Sequence, residues 1–382
     1  MYMTLRTLAN LTIAPSTRAL VRADFDVGAD GDTITDTFRI EAVLPTIRLL
    51  LERGARVRLM AHRGRPGGTR NPAFSLAPVA RFVSHALNRE VLFAEDIFAD
   101  TPADADVILF ENLRFWPGEE QSDPVFARAL AVHGDIYINE AFAAYRGHAS
   151  IAMLPRLLPA YAGLHLEKEI NALERVLVHP QRPMTAIFGG LKIETKLPII
   201  RRFLQHADQV IVGGALANTI FALRGNAVGK SATDTTDGSD LSFLEDPKLI
   251  LPSDVITAPR LAAGAPSAVR QMGDVHPDEY IADIGPESRQ RFLALLASAQ
   301  TVVWNGPMGF AEAPEFSRGT IALAERISKL NAFTVIGGGD TITILKQYGA
   351  LSGFSHVSTG GGAMLEFLSG KKLPGLEPLS IS

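Results

Sequence analysis

The sequence predicts an α/β protein built from two doubly wound parallel-sheet domains, and three observations carry that expectation. Short β-rich runs alternate with longer amphipathic stretches along the whole chain, the order expected of parallel strands covered by helices on both faces. The alternation occurs twice, and 382 residues leave room for roughly two domains. A charged, leucine-rich stretch without glycine, "HLEKEINALERVLVHP" (165–180), separates the two series and is expected to form a stiff helical connector closed by Pro180 and Pro183.

In the first series the strand-like runs are "RALVRADFDV", "RVRLMAHRG", "VILFENLRF" and "DIYINEAFA". The stretches "EAVLPTIRLLLERG" and "LAPVARFVSHAL" between them carry helical periodicity. In the second series the runs are "MTAIFGG", "DQVIVGGA", "TVVWNGPMG", "FTVIGGGDT" and "HVSTGGG". The expected domains are 1–165 and 166–371, the second beginning with the connector.

Composition narrows the function classes. Apolar content of 47% and charged content of 20% are those of an ordinary globular protein. A net charge of −4 and a pI near 6.2 argue against nucleic-acid binding, which usually needs a domain pI above about 9. With no cysteine, disulfides, thiolate catalysis and cysteine metal sites are excluded. The start "MYMTLRTLANLTIAP" has no secretion-signal pattern, and no apolar run approaches the roughly 18 residues of a membrane span. The expectation is a cytoplasmic protein with no membrane contact.

In open α/β sheets ligands bind beyond the carboxyl ends of the strands, so the residues that end each run carry the functional signal. In the first half these are Arg22, Asp24 and Asp26, then His62 and Arg65, then Arg114, then Arg146. Any one of them is equally a surface arginine, in a half that uses no lysine before Lys168. Their common place at strand ends favours a small ligand with carboxylate and phosphate groups, which the guanidinium fork binds bidentately.

The second half ends its runs in glycine: "FGG", "VGG", "NGPMG", "GGGDT" and "TGGG". Five such turns on one rim predict a flat floor of exposed amides suited to a nucleotide. None has the Lys-Ser/Thr of a P-loop after its last glycine. Lys192 and Lys196 in "GGLKIETK" lie four residues apart on one helix face, where like charges repel. They make either a solvated face or a shared contact to a polyanion. Asp340 in "VIGGGDTIT" cannot bind phosphate directly. It either caps the following helix or holds Mg²⁺, which takes oxygens from one or two carboxylates and from phosphate.

Together with "FRIEAVLPTI", "AHRGRP", "ENLRFWPGEE", "NEAFAAYRGHAS", "IVGGALANT" and "HVSTGGGAMLEFLSGKKLPG", these motifs resemble the phosphoglycerate kinase family in order and spacing over nearly the whole chain. The resemblance implies two domains joined by a hinge helix with a ligand cleft between them, and a tail, 372–382, that crosses back to the first. It implies reversible phosphoryl transfer between 1,3-bisphosphoglycerate with MgADP and 3-phosphoglycerate with MgATP, in a monomer. Carried over by motif, the acceptor side uses Asp24, Asp26, Arg39, His62, Arg65, Arg114 and Arg146. The nucleotide side uses Lys196, Gly213, Gly214, Asn305, Glu312, Gly338, Gly339, Asp340 and Thr341, with Asp340 toward the metal. Arg39, Lys192, Gly338 and Gly362 surround the transferring group.

The sequence also departs from the family pattern. Asp26 stands where the family usually has Asn, and Gly28 where it has Pro. "FAAYRGHAS" carries Ala143, Ala144 and Tyr145 where Gly-Thr-Ala-His is typical, one residue short before Arg146. Two rival readings remain at this level: a related kinase for another small carboxylate, and a nucleotide-binding scaffold without catalysis.

Overall fold

The computed structural model of the chain describes residues 4–9, 11–191, 193–234 and 241–381, without the side chains of 193–195. Two compact units divide it: Met1–Asn171 with Lys372–Ser382, and Ala172–Lys371. No helix among the described residues is long and apolar enough to cross a membrane.

The first unit contains β1 (Arg18–Arg22), a short hairpin of β2 (Ala29–Asp30) and β3 (Thr33–Ile34), β4 (Arg56–Met60), β5 (Leu92–Ala94), β6 (Val107–Phe110), β7 (Ile136–Asn139) and β8 (Ala160–Ala162). Six of these form a parallel sheet in the order β5-β6-β4-β1-β7-β8. Strands covered on both faces read as continuous apolar runs, as "VILF" does in β6, where every residue is buried. Helices α1 (Phe38–Glu52) and α2 (Ala77–Leu87) pack one face with Val43, Ile47, Leu50, Val79 and Val83. Asn88, left-handed at φ 48°, ends α2. Helices α3 (Pro117–Glu120), α4 (Pro124–Ala131) and a π turn at Ala149–Met153 complete the unit. Both chain ends belong to it: Ile381 N–H donates to Thr4 O at 2.7 Å and Arg6 N–H to Leu379 O at 2.8 Å. Asn139 Nδ2 donates to Gly375 O at 3.2 Å.

The connector is helix α5 (Leu164–Val178), and the boundary between the units falls inside it. Its first turn is capped by Glu140, at the end of β7, whose carboxylate accepts from His165 N–H at 3.2 Å and Leu166 N–H at 2.9 Å and from the Thr46 hydroxyl.

In the second unit β9 (Met184–Phe188), α6 (Ile193–His206), β10 (Gln209–Val212), α7 (Gly214–Leu223) and β11 (Leu249–Ile250) come first. They are followed by β12 (Asp254–Ala258), β13 (Ala268–Gln271), β14 (Tyr280–Ile284), α8 (Pro286–Leu296), β15 (Thr301–Asn305), α9 (Arg318–Ile327), β16 (Phe333–Gly337), α10 (Gly339–Gln347), β17 (His356–Val357) and α11 (Gly361–Leu368). The parallel sheet runs β11-β10-β9-β15-β16-β17. The chain works outward from β9 and returns to its other side at β15, so the topological switch lies between these two strands. An antiparallel sheet β13-β12-β14 was not expected from the sequence pattern. Asp254 in it caps α8, accepting from Ser288 N–H at 2.7 Å and Glu287 N–H at 3.1 Å.

Candidate active site

Because every strand of the first sheet is parallel, the segments after β1, β4, β6 and β7 leave the same edge. They bring Asp26, His62, Arg65, Arg114 and Arg146 around one cavity of about 200 Å³. Asp24 is buried and does not line it; its Oδ1 accepts from Arg39 Nη1 at 3.2 Å and from Asp26 N–H at 3.3 Å. Oδ2 is buried with no hydrogen-bond partner among the described residues, a costly state unless a ligand donor reaches it. Asp26 Oδ1 accepts from Gly64 N–H at 2.8 Å, and Gly64 O accepts from Arg114 Nη1 at 2.8 Å. Gly64, with φ +64° and Phe74 filling the place of a Cβ, thus clamps both charges. Arg65 and Arg146 are exposed at the cavity, while burial and Arg22 push the Arg114 guanidinium down.

His62 is buried; desolvation first, then Arg22, Arg114, His148 and Arg39, push it well below the usual imidazole range. His148 is pushed down to about 4, mainly by burial and then by Arg114 and Arg22. Arg22, expected on the rim, is fully buried behind His62 instead. As the last residue of β1 its side chain enters the protein, where Ser150 and Glu119 receive it.

Sequence reading missed Glu120 and His148 at this cavity, although both lie inside quoted motifs. Glu120 Oε1 stands 3.3 Å from Arg114 Nε. The sequence shows only that an acidic pair ends "PGEE"; the fold decides that Glu119 is buried and Glu120 exposed.

In the second unit a cavity of about 360 Å³ lies at the switch between β9 and β15. Gly190, Leu191, Gly214, Pro307, Phe310, Glu312 and Asp340 line it. The expectation of exposed amides at all five glycine turns needs correction. Gly189 N–H donates to Asn305 O, Gly190 N–H to Pro307 O, Gly213 N–H to Phe188 O and Gly214 N–H to Met308 O, at 2.8–3.0 Å. Those turns interlock with one another because buried backbone donors must be satisfied. Gly214, at φ +60°, lies so close to Gly190 and Pro307 that a Cβ would stand 2.8 Å from backbone atoms of each.

In "NGPMG" Gly306 N–H donates to the Thr341 hydroxyl, and the last two turns lie at helix starts. The backbone ladder of α10 starts with Ile342 N–H to Gly338 O and that of α11 with Met364 N–H to Gly360 O. The three amides before each carry no helical bond. These two starts adjoin, since a Cβ on Gly361 would stand 2.9 Å from Gly338 Cα. Gly362, Gly339 and Asp340 are exposed there. The N-cap of α10 is Gly338, with no side-chain capping bond, so Asp340 is not the capping residue.

Three expected contacts turn inward. Asn305 Nδ2 donates to Gly337 O at 3.0 Å, tying β15 to β16. The Thr341 hydroxyl accepts from Gly306 N–H at 3.0 Å, leaving only its backbone at the helix start. Gly213 packs against Met308 behind the floor. Lys196 is buried, its ammonium donating to Gly189 O, so it is no solvated face. Lys192 lies outside the described residues. Leu191, Asn218 and Phe310 were missed; Asn218 lies one turn beyond Gly214 on α7, the place a helix start projects inward.

The chain is similar to known proteins along nearly its whole length. The chain is 41% identical over 396 residues to a phosphoglycerate kinase of Caulobacter vibrioides, covering 99% of this chain and 100% of that one. It is 43% identical over 378 residues to that of Moorella thermoacetica, covering 95% and 96%. The phosphoglycerate kinase of Coxiella burnetii superposes with a TM-score of 0.85 at 38% identity, over 98% of each chain. That of Pyrococcus horikoshii superposes with a TM-score of 0.84 at 29% identity, over 99% of this chain and 98% of that one. A sequence model of the family described as phosphoglycerate kinase matches residues 10–371, and the chain belongs to that family.

Proposed function

We propose that this family member holds its three-carbon acceptor on the first unit and its nucleotide on the second, with the residues expected from the sequence in those roles apart from Gly213, Asn305 and the Thr341 side chain, which face inward. The reaction is phosphoryl transfer to the carboxyl group of 3-phosphoglycerate, with ATP/ADP as co-substrate. The observation that carries the assignment is a cavity ringed by three arginines, with the buried, unpartnered Oδ2 belonging to Asp24, whose Oδ1 accepts from the N–H of Asp26 in the cavity wall. A hydroxyl would satisfy that oxygen, while a phosphate and a carboxylate would suit Arg65, Arg114 and Arg146. Such a ligand matches 3-phosphoglycerate and 1,3-bisphosphoglycerate.

On the second unit the free amides of α10 and α11 suit phosphate oxygens, Lys196 adds a cation, and Glu312 at the cavity suits a ribose. Asp340 fits Mg²⁺: an exposed carboxylate at a phosphate-binding helix start supplies the one protein oxygen that a mainly phosphate- and water-bound ion needs. When bound, that ion would neutralise phosphate charge. The acceptor is an already ionised carboxylate, so no general base is required, and His62 serves as a donor. Arg39 and Lys192 would share the charge that spreads over the transferring group. Arg39 uses only Nη1 for Asp24 Oδ1 and Asp26 O, which leaves its other donors for that task. The two ligands are assigned to different units, so transfer requires hinge bending to bring them in line and exclude water. One chain supplies both sites, which favours a monomer, and a cysteine-free sequence suits the cytoplasm.

The test is ADP release from MgATP by purified protein, with and without 3-phosphoglycerate. Release that depends on 3-phosphoglycerate and is lost in Lys192→Ala supports the assignment. ADP binding without any acceptor-dependent release would overturn it in favour of another acceptor.

A further inference from the structure

Behind the first-unit cavity lies a buried polar assembly that no ligand assignment uses. Arg22 and Glu119 are both fully buried, with Arg22 Nη2 3.8 Å from Glu119 Oε1. Arg22 Nε donates to Ser150 Oγ at 2.8 Å and Nη1 to Ala23 O at 2.7 Å, while Nη2 stands 3.0 Å from His62 Nδ1. The Ser150 hydroxyl donates to Glu119 Oε1 at 2.6 Å and its N–H to Oε2 at 2.9 Å. Tyr137 OH donates to Ser150 O at 2.9 Å. Strands β1 and β7, helix α3 and the π turn thus hold one guanidinium in a single orientation.

A guanidinium offers only N–H donors. The His62 Nδ1 facing it must therefore present a lone pair, and a neutral imidazole then carries its proton on Nε2. We infer that Arg22 is a positioning residue that holds His62 as the neutral Nε2–H tautomer, so that the ring donates into the acceptor cavity. Nε2 lies 3.7 Å from Asp26 Oδ2, beyond hydrogen-bond range, so its proton is available to a ligand oxygen. Around the ring, Arg22, Arg114, His148 and Arg39 oppose a second proton, and Asp26 is the acid that faces it. A buried cation that never touches the ligand thereby decides which end of the ring donates. The inference rests on reading this cavity as the acceptor site.

Nitrogen-15 NMR of the full chain without ligand reads the tautomer directly. His62 is assigned among the nine histidines by comparison with His62→Gln. The expected pattern is neutral Nε2–H, with no protonation as pH falls through 6.5. Arg22→Met alone would strand the Glu119 charge, so the paired variant Arg22→Met/Glu119→Gln removes both charges together. In it His62 should gain an Nδ1–H population and titrate at higher pH than in the wild type. The KM for 3-phosphoglycerate should rise about tenfold or more, with the nucleotide KM unchanged. An Nδ1–H pattern in the wild type, or the same tautomer and titration in both proteins, would overturn the inference. If His62→Gln leaves the acceptor KM unchanged while the tautomer shifts as expected, the role of Arg22 stands and the acceptor assignment of His62 falls.

Discussion

Replacing Asp26 by Asn tests the acceptor cavity at its least expected residue. Asp26 Oδ1 accepts from Gly64 N–H at 2.8 Å, and an amide oxygen accepts equally well, so the loop should keep its shape. What changes is charge. Taken as a sphere, a cavity of about 200 Å³ is roughly 3.6 Å in radius, which places a ligand charge about 5 Å from a carboxylate in its wall. The Asp26 side chain is 39% exposed, so an effective dielectric of about 60 is appropriate and the repulsion is about 1 kcal/mol for the single ligand charge nearest Asp26, the ligand's other charges being paired with Arg65, Arg114 and Arg146. Asp26→Asn should therefore lower the KM for 3-phosphoglycerate roughly fivefold, with the ATP KM unchanged. Steady-state kinetics at two ionic strengths is the assay, because screening should shrink the gain toward about twofold at high salt. An unchanged or higher KM, or a gain insensitive to salt, would refute the reasoning and give Asp26 a positive role in binding.

Other tests address the nucleotide floor, the metal and the connector. Gly214→Ala forces a side chain into a left-handed position against two backbone atoms, and should weaken ADP binding by about tenfold or more; calorimetry showing equal affinity would remove the interlocked floor as a determinant. Asp340→Asn should raise the Mg²⁺ concentration needed for half-maximal activity while leaving metal-free ADP binding intact, and an unshifted Mg²⁺ titration would dismiss Asp340 as a ligand. Glu140 is raised to about 7, chiefly by burial, with its hydrogen bonds opposing the shift. The folded state then holds that proton more tightly than the unfolded chain, so stability falls as pH rises from the ordinary carboxylate value of 4.5 toward 7 and levels off above it. Urea unfolding across that window should show a slope in the wild type that Glu140→Gln lacks; parallel profiles would count against it.

Periodicity and punctuation determined a great deal here. Alternating apolar runs such as "VILF" and the glycine-ended runs of the second half specify parallel strands and their outgoing turns, because burial on both faces and tight turns restrict residue type locally. Charged residues at strand ends likewise marked Asp26, His62, Arg65, Arg114 and Arg146, which the parallel sheet gathers at one cavity.

Tertiary structure alone decided what each of those residues faces. Arg22 and Arg114 look alike in sequence, yet one is locked against Glu119 and Ser150 and the other reaches the cavity. Asn305 and Thr341 sit in the glycine-rich turns but spend their side chains on Gly337 and Gly306. Glycine in a turn predicts close approach, not what approaches; here neighbouring turns fill that space at Gly189, Gly190 and Gly214, while the starts of α10 and α11 have amides that no helical bond uses. The physical reason is that hydrogen bonds between distant segments depend on sheet order. A local sequence pattern carries the donors and acceptors but not their partners.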